Sequence, residues 1–173
     1  MKSKKELIAL LREDVQAFND YRKETNYEDI DLSYASLYEA DLTYADLTYF
    51  DLASADLRWA NLYAANLTEA NLHGANLRYA NLYAANLTEA NLHGANLRHA
   101  SLFNADLTAS DLTRANLRYA ILTYADLTYA DLHGANLIGV DLTGADLTGA
   151  EFSCANLTGT KFCSDNDGGK ENA

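Results

Sequence analysis

The stretch "NLYAANLTEANLHGANLRYA" runs from Asn61 to Ala80, and the twenty residues from Asn81 to Ala100, "NLYAANLTEANLHGANLRHA", copy it with one change, His99 for Tyr79. The evident motif is five residues long, yet the copied block contains four motifs. A fold built from this sequence must therefore respect two periods at once, five and twenty.

The five-residue period extends well beyond the copied block. Leu stands at position 32 and at every fifth residue to 157, with Phe152 the single substitute, and Phe162 takes the last step. These steps define 27 motifs. With the Leu position called i, position i−2 is Ala except at Ile30, Phe50, Ser110, Val140 and Thr160. Position i−1 is mostly Asp or Asn. On an α-helix, five residues advance about 500°, so the leucines would wind around the axis without forming a stripe. On a straight strand an odd period would alternate faces. A short extended segment followed by a corner meets both demands, because i−2 and i then point inward in every motif. Successive motifs become the walls of a coil.

Glycine marks the corner. Gly74, Gly94, Gly134, Gly139, Gly144, Gly149 and Gly159 all occupy i+2, the slot expected for the turn. Tyr, Glu and Trp share that slot, so the sequence implies no obligatory positive φ there.

The unbroken A-[D/N]-L-x-x motifs from Ile30 to Ser164 closely resemble the pentapeptide-repeat family. The resemblance implies an all-β solenoid: a right-handed β-helix of square cross-section with four pentapeptides per coil. Positions i and i−2 would point inward, and i−1, i+1 and i+2 outward. One coil then equals the copied block, and the motifs make about seven coils. At roughly 4.8 Å each, they form a rod about 32 Å long. The expected organisation is a capping helix and lead-in over residues 1–29, the β-helix over 30–164, and a disordered polar tail over 165–173.

The cap is expected as one amphipathic helix from Ser3 to roughly Asn26, with Leu7, Leu11, Val15 and Phe18 at helical spacing. "AFNDYRKETNYEDIDLS" resembles the leader found before many bacterial pentapeptide repeats. Phe50 in an Ala slot suggests a wider cross-section near this end. With no helix expected at the other end, Phe152, Leu157 and Phe162 would be covered by the tail or by an end-to-end homodimer.

Stacking at twenty residues turns each outward position into a column. One face carries Arg58, Arg78, Arg98 and Arg118 at i+1, beside Trp59, Tyr79, His99 and Tyr119 at i+2. This is the candidate interaction face, suited to an acidic or planar partner through ion pairs and cation–π contacts. Alternatively, the arginine stems shield the wall and pair with neighbouring acids. Another face carries Thr48, Thr68, Thr88, Thr108, Thr128 and Thr148, read as β packing rather than an ice-binding surface. Tyr63, Tyr83 and Phe103 form a third column, and His73, His93 and His133 a fourth. Thr113 interrupts the histidines and no third ligand joins them, so no metal is expected. Cys154 and Cys163 fall on opposite sides of the square, too far apart for a disulfide.

The net charge is −12. Direct nucleic-acid binding is therefore not expected. Asp fills i−1 toward both ends, whereas all eight such positions from 61 to 96 are Asn, leaving acidic ends and a neutral waist. The N-terminal apolar run "LIALL" is too short for a signal peptide or a membrane span, so a soluble cytoplasmic protein is expected. No phosphate loop, nucleophile–base pair or metal motif stands out, which implies no enzyme and no cofactor. The expected role is a non-catalytic scaffold that binds another protein. By resemblance, the alternative is a DNA mimic acting on a type II topoisomerase, as the quinolone-resistance members and their mycobacterial relatives do. The neutral waist, the Arg column and the absence of interrupting loops depart from those members.

Overall fold

Each motif solves the same backbone problem, which the one around Leu52 illustrates. The computed structural model describes residues 2–25 and 30–162. In this motif the Asp51 N–H donates to Ile30 O of the previous coil at 3.0 Å, and the Leu52 and Ser54 N–H groups donate to Asn71 O and His73 O of the next, at 2.7 and 2.8 Å. The Ala55 N–H closes the corner on Leu52 O at 3.0 Å. The fifth donor, Ala53 N–H, has no backbone acceptor; Asp51 Oδ1 takes it at 2.9 Å. An unpaired backbone donor is costly, so an acceptor side chain at i−1 is a structural requirement. All 22 Asp and Asn residues in that slot accept the i+1 N–H in this way.

Parallel bridges join each i−1 residue to the one twenty residues on, from Asp31–Asp51 to Asp141–Lys161. The repeat of twenty is thus the register of the coil, and the four walls carry bridges of single residues rather than long strands. Leu and Ala side chains from Leu32 to Leu142 fill the interior. Each buried Leu contributes about 1.5–3 kcal/mol. Toward the last described coil Leu147 and Phe152 are only half-buried, and Leu157 and Phe162 are exposed.

The corner residue corrects one expectation. All 26 described i+2 residues have φ between +50° and +71°, and 19 of them are not glycine. Positive φ only at the second central residue, with the i to i+3 bond, is the type II pattern. Tyr, Glu, Trp and Arg accept a backbone region that disfavours them because hydrogen bonding of the whole motif depends on it.

The cap is also different from the expected single helix. Helix α1 spans Lys4–Glu13 and α2 spans Val15–Thr25. Ser3 and Glu6 form a capping box at the start of α1. Asp14 makes the break. Its N–H ends α1 on Leu10 O at 2.8 Å, and its Oδ1 accepts the Ala17 N–H at 2.9 Å to begin α2.

Leu7, Leu11 and Phe18 cover the first coil, with the Phe18 ring 5.6 Å from that of Phe50. Phe50 therefore fills its Ala slot to meet the cap. The helices also replace a missing coil. Arg12 donates to Ser36 O and Tyr38 O, and Arg22 to Thr48 O, while Asn19 Oδ1 accepts the Asp46 N–H. These groups in later coils bond to the coil before them.

The lead-in at 26–29, the expected tail over 165–173 and Cys163 lie outside the described residues. Cys154 is a free, exposed thiol. Among the described residues, no helix is long and apolar enough to cross a membrane.

Candidate functional site

The structure brings all eight residues of the candidate face into two adjacent files, but it divides the arginines. Arg58 makes a two-point pair with Asp56, Nε to Oδ1 and Nη2 to Oδ2, each 2.7 Å. That hydrogen-bonded pairing holds the Asp56 carboxyl below its usual range and raises the Arg58 guanidinium. Tyr38, in the same column one coil earlier, lies 5.3 Å under Arg58 and is a neighbour that the sequence reading did not include.

The next three coils place Asn76, Asn96 and Asn116 where Asp56 stood. Each amide oxygen accepts the backbone N–H of its arginine and supplies no charge. Arg78, Arg98 and Arg118 accordingly make no ion pair and no guanidinium hydrogen bond among the described residues, and their covered Nε atoms have no acceptor. The ring contacts are intramolecular: Arg78 lies 5.4 Å over Tyr79 and Arg118 5.5 Å over Tyr119. The expected pairing with nearby acids therefore holds for Arg58 and fails for the other three.

Beside them the rings form a continuous stack. Centroids are 4.3 Å apart for Trp59–Tyr79, 5.0 Å for Tyr79–His99 and 5.2 Å for His99–Tyr119, all within 19° of parallel. Tyr119 in turn lies against Gly139. Rings this close leave no room for a third between them. A planar partner cannot enter the file, which narrows the expected chemistry to anions and to contacts along the ring edges.

At the coils of Arg78, Arg98 and Arg118 the outward columns on either side are neutral. Asn76, Asn96 and Asn116 flank the arginines on one side, and Asn81, Ser101 and Ile121 follow the rings on the other. Ile121 is the one apolar residue in the i−1 column and is exposed. It cannot accept the Thr123 N–H, so it breaks the rule that 22 other motifs follow. Its neighbours on the same coil, Tyr119 and Tyr124, are exposed as well. Sequence reasoning passed over Ile121, although its violation of the column was visible.

The other columns are occupied internally. Thr48, Thr68 and Thr128 donate their hydroxyls to the i−1 side chain of their own motif. Tyr63, Tyr83 and Phe103 stack at 5.4 and 5.1 Å. His73 and His93 stack at 5.2 Å, and His93 Nδ1 meets the Thr113 hydroxyl.

The family model described as pentapeptide repeats matches in eight copies, over residues 28–58, 55–94, 65–102, 100–137 and 125–163. The chain belongs to the pentapeptide-repeat family. Its coil is accordingly the right-handed quadrilateral β-helix of that family. Among solved structures, a pentapeptide repeat protein from Nostoc PCC 7120 is 36% identical over 59% of this chain and 84% of its own, with a TM-score of 0.53. A pentapeptide repeat protein from the thylakoid lumen of Arabidopsis thaliana is 35% identical over 55% of this chain, with a TM-score of 0.44. The match spans 63% of the length of that protein. QnrB1, a plasmid-mediated fluoroquinolone resistance protein, is 24% identical over 78% of this chain and 70% of its own, with a TM-score of 0.32. No match was found among curated proteins.

Proposed function

We propose that this pentapeptide-repeat protein is a non-catalytic scaffold that binds another protein through the Arg and aromatic columns of one face. The observation that carries the reading is the file of Arg78, Arg98 and Arg118, three guanidinium groups without an internal carboxylate. Half-buried arginine beside aromatic rings is the composition of interface hot spots. Solenoids offer long regular surfaces of this kind. The reading places the protein in the cytoplasm, with no cofactor and no direct contact to nucleic acid. An end-to-end pair through the last described coil is consistent with exposed Leu157 and Phe162.

Affinity capture from the native cell tests the reading. Arg78→Glu with Arg98→Glu removes the partner while leaving the thermal midpoint nearly unchanged. A partner retained by that variant eliminates the face.

The second reading, a DNA mimic that binds type II topoisomerase, is supported by the charge of −12 and by the carboxylate file Asp106, Asp126 and Asp146 on the Thr face. The likeness to QnrB1 adds nothing beyond the fold. A gyrase supercoiling assay separates the two: a mimic inhibits supercoiling or counters a quinolone, and a scaffold does neither even in large excess.

A further inference from the structure

We infer that the partner segment of this face is an acidic amphipathic α-helix lying along the rod axis, its carboxylates on Arg78, Arg98 and Arg118 and its apolar edge on Tyr119, Ile121 and Tyr124. The inference rests on the scaffold reading and specifies the chemistry of the same face. Three observations support it.

The first is spacing. Arg78 to Arg118 covers two coils, about 10 Å. Carboxylates at i, i+3 and i+7 of an α-helix span about 10.5 Å and lie on one side. Three same-side residues of an extended peptide, at i, i+2 and i+4, span about 13 Å and fall out of step.

The second is charge. Asn76, Asn96, Asn116, Asn81 and Ser101 border the file, and the next carboxylates along those two columns, Asp56 and Asp141, are paired with Arg58 and Lys161, so none beside the three arginines neutralises them. The acidic residues gather toward the rod ends, and screening over about 10 Å shields a short acidic segment from them. A long polyanion would overrun the waist and meet those ends. Nucleic acid is further disfavoured because the ring faces are already stacked on one another, leaving none inside the file for a base.

The third is Ile121. The i−1 slot calls for an oxygen acceptor, and Ile121 provides none while exposing an apolar side chain between two exposed tyrosines. A residue that breaks a local structural rule at the surface points to a use outside the fold. It gives the acidic stripe an apolar neighbour.

The test uses the full chain and synthetic peptides, read by calorimetry and by the fluorescence of Trp59, the only tryptophan. One 18-residue helical peptide carries Glu at i, i+3 and i+7 with Leu on the flanking edge; a second has the same composition scrambled. The striped peptide should bind about tenfold more tightly than the scrambled one and weaken as salt rises. Arg78→Gln, Arg98→Gln and Arg118→Gln together should cost about tenfold in affinity, whereas Arg58→Gln, whose guanidinium already holds Asp56, should cost less than about twofold. Ile121→Asn restores the missing acceptor, so it should weaken binding without lowering the thermal midpoint.

Equal binding of both peptides, full affinity in the triple variant, or tighter binding of an oligothymidylate of matched charge each overturns the inference. If the striped peptide fails while the cellular partner is still lost on Arg78→Glu with Arg98→Glu, the scaffold reading survives and the acidic helix does not.

Discussion

The Tyr124 ring lies so close over Gly144 that a Cβ built at Gly144 would sit 2.5 Å from two of its carbons. Tyr119 over Gly139 and Tyr129 over Gly149 repeat the relationship at the two adjacent corners. At Gly94, by contrast, an added Cβ meets nothing within 4 Å. Ala64 and Ala84 already hold the same left-handed backbone elsewhere in this slot. Gly94→Ala should therefore cost about 1 kcal/mol, from backbone alone. Gly144→Ala should cost more, because the Tyr124 ring must leave its seat. In a double-mutant cycle with Tyr124→Ala the two losses should not add, whereas Gly94→Ala and Tyr124→Ala should. Urea denaturation of the three single and two double variants checks this.

The i−1 acceptor separates hydrogen bonding from charge. Asp126 accepts the Thr128 N–H at 2.9 Å. Asp126→Asn keeps an oxygen in place and should change stability by less than about 0.5 kcal/mol, while Asp126→Ala should cost about 1–2 kcal/mol by leaving that donor unpaired. Equal melting of the two variants would disprove the role assigned to the column.

The same side chains predict an acid limit. Hydrogen bonds from Thr43, Thr143 and Thr148 hold Asp41, Asp141 and Asp146 below the usual carboxylate range, and Ser33 with Lys4 takes Asp31 to about 2. A carboxyl depressed by folding stabilises the folded state while ionised. That contribution is complete above the unfolded value near pH 4 and disappears as pH falls through the lower folded values. The thermal midpoint should be nearly flat from pH 7 to 5 and drop below pH 4. Asp41→Asn with Asp141→Asn should flatten the drop.

At the capped end, Phe18 and Phe50 share one buried contact. Phe18→Ala should cost about 3–5 kcal/mol. Phe50→Ala added to it should cost clearly less than it does alone, because the partner ring has already gone.

Register makes a further prediction. Deleting Asn81–Ala100 removes one coil and leaves every column aligned, including Arg78 beneath Arg118 and Tyr79 beneath Tyr119. Deleting only Asn81–Ala85 keeps Leu and Ala inward but brings Phe103 to the place of Arg98. The first variant should fold with a midpoint close to that of the parent, and the second should melt well below it.

The coil was legible because Leu at five and the copied block at twenty constrain one another. Two things were not. Tyr, Glu and Trp at i+2 argued against a left-handed corner, since propensity describes single residues whereas the corner is imposed by the five donors of a whole motif. Asp and Asn at i−1 were noticed for their charge, although the property they share is the side-chain oxygen that the fifth donor needs. The Arg and aromatic files were visible as columns. That only Arg58 is internally paired follows from Asp56 against Asn76, Asn96 and Asn116, a difference that mattered once the arginine was known to reach its own i−1 neighbour.

Nearly all backbone bonds between coils reach about twenty residues along the chain, none much farther, and α1 with α2 stands in for the coil that the first one lacks. A ribosome releasing this sequence from its N-terminus would deliver the template before each segment that must be laid on it. Coils can then be completed in the order of synthesis, with little need to hold an unfinished chain in solution.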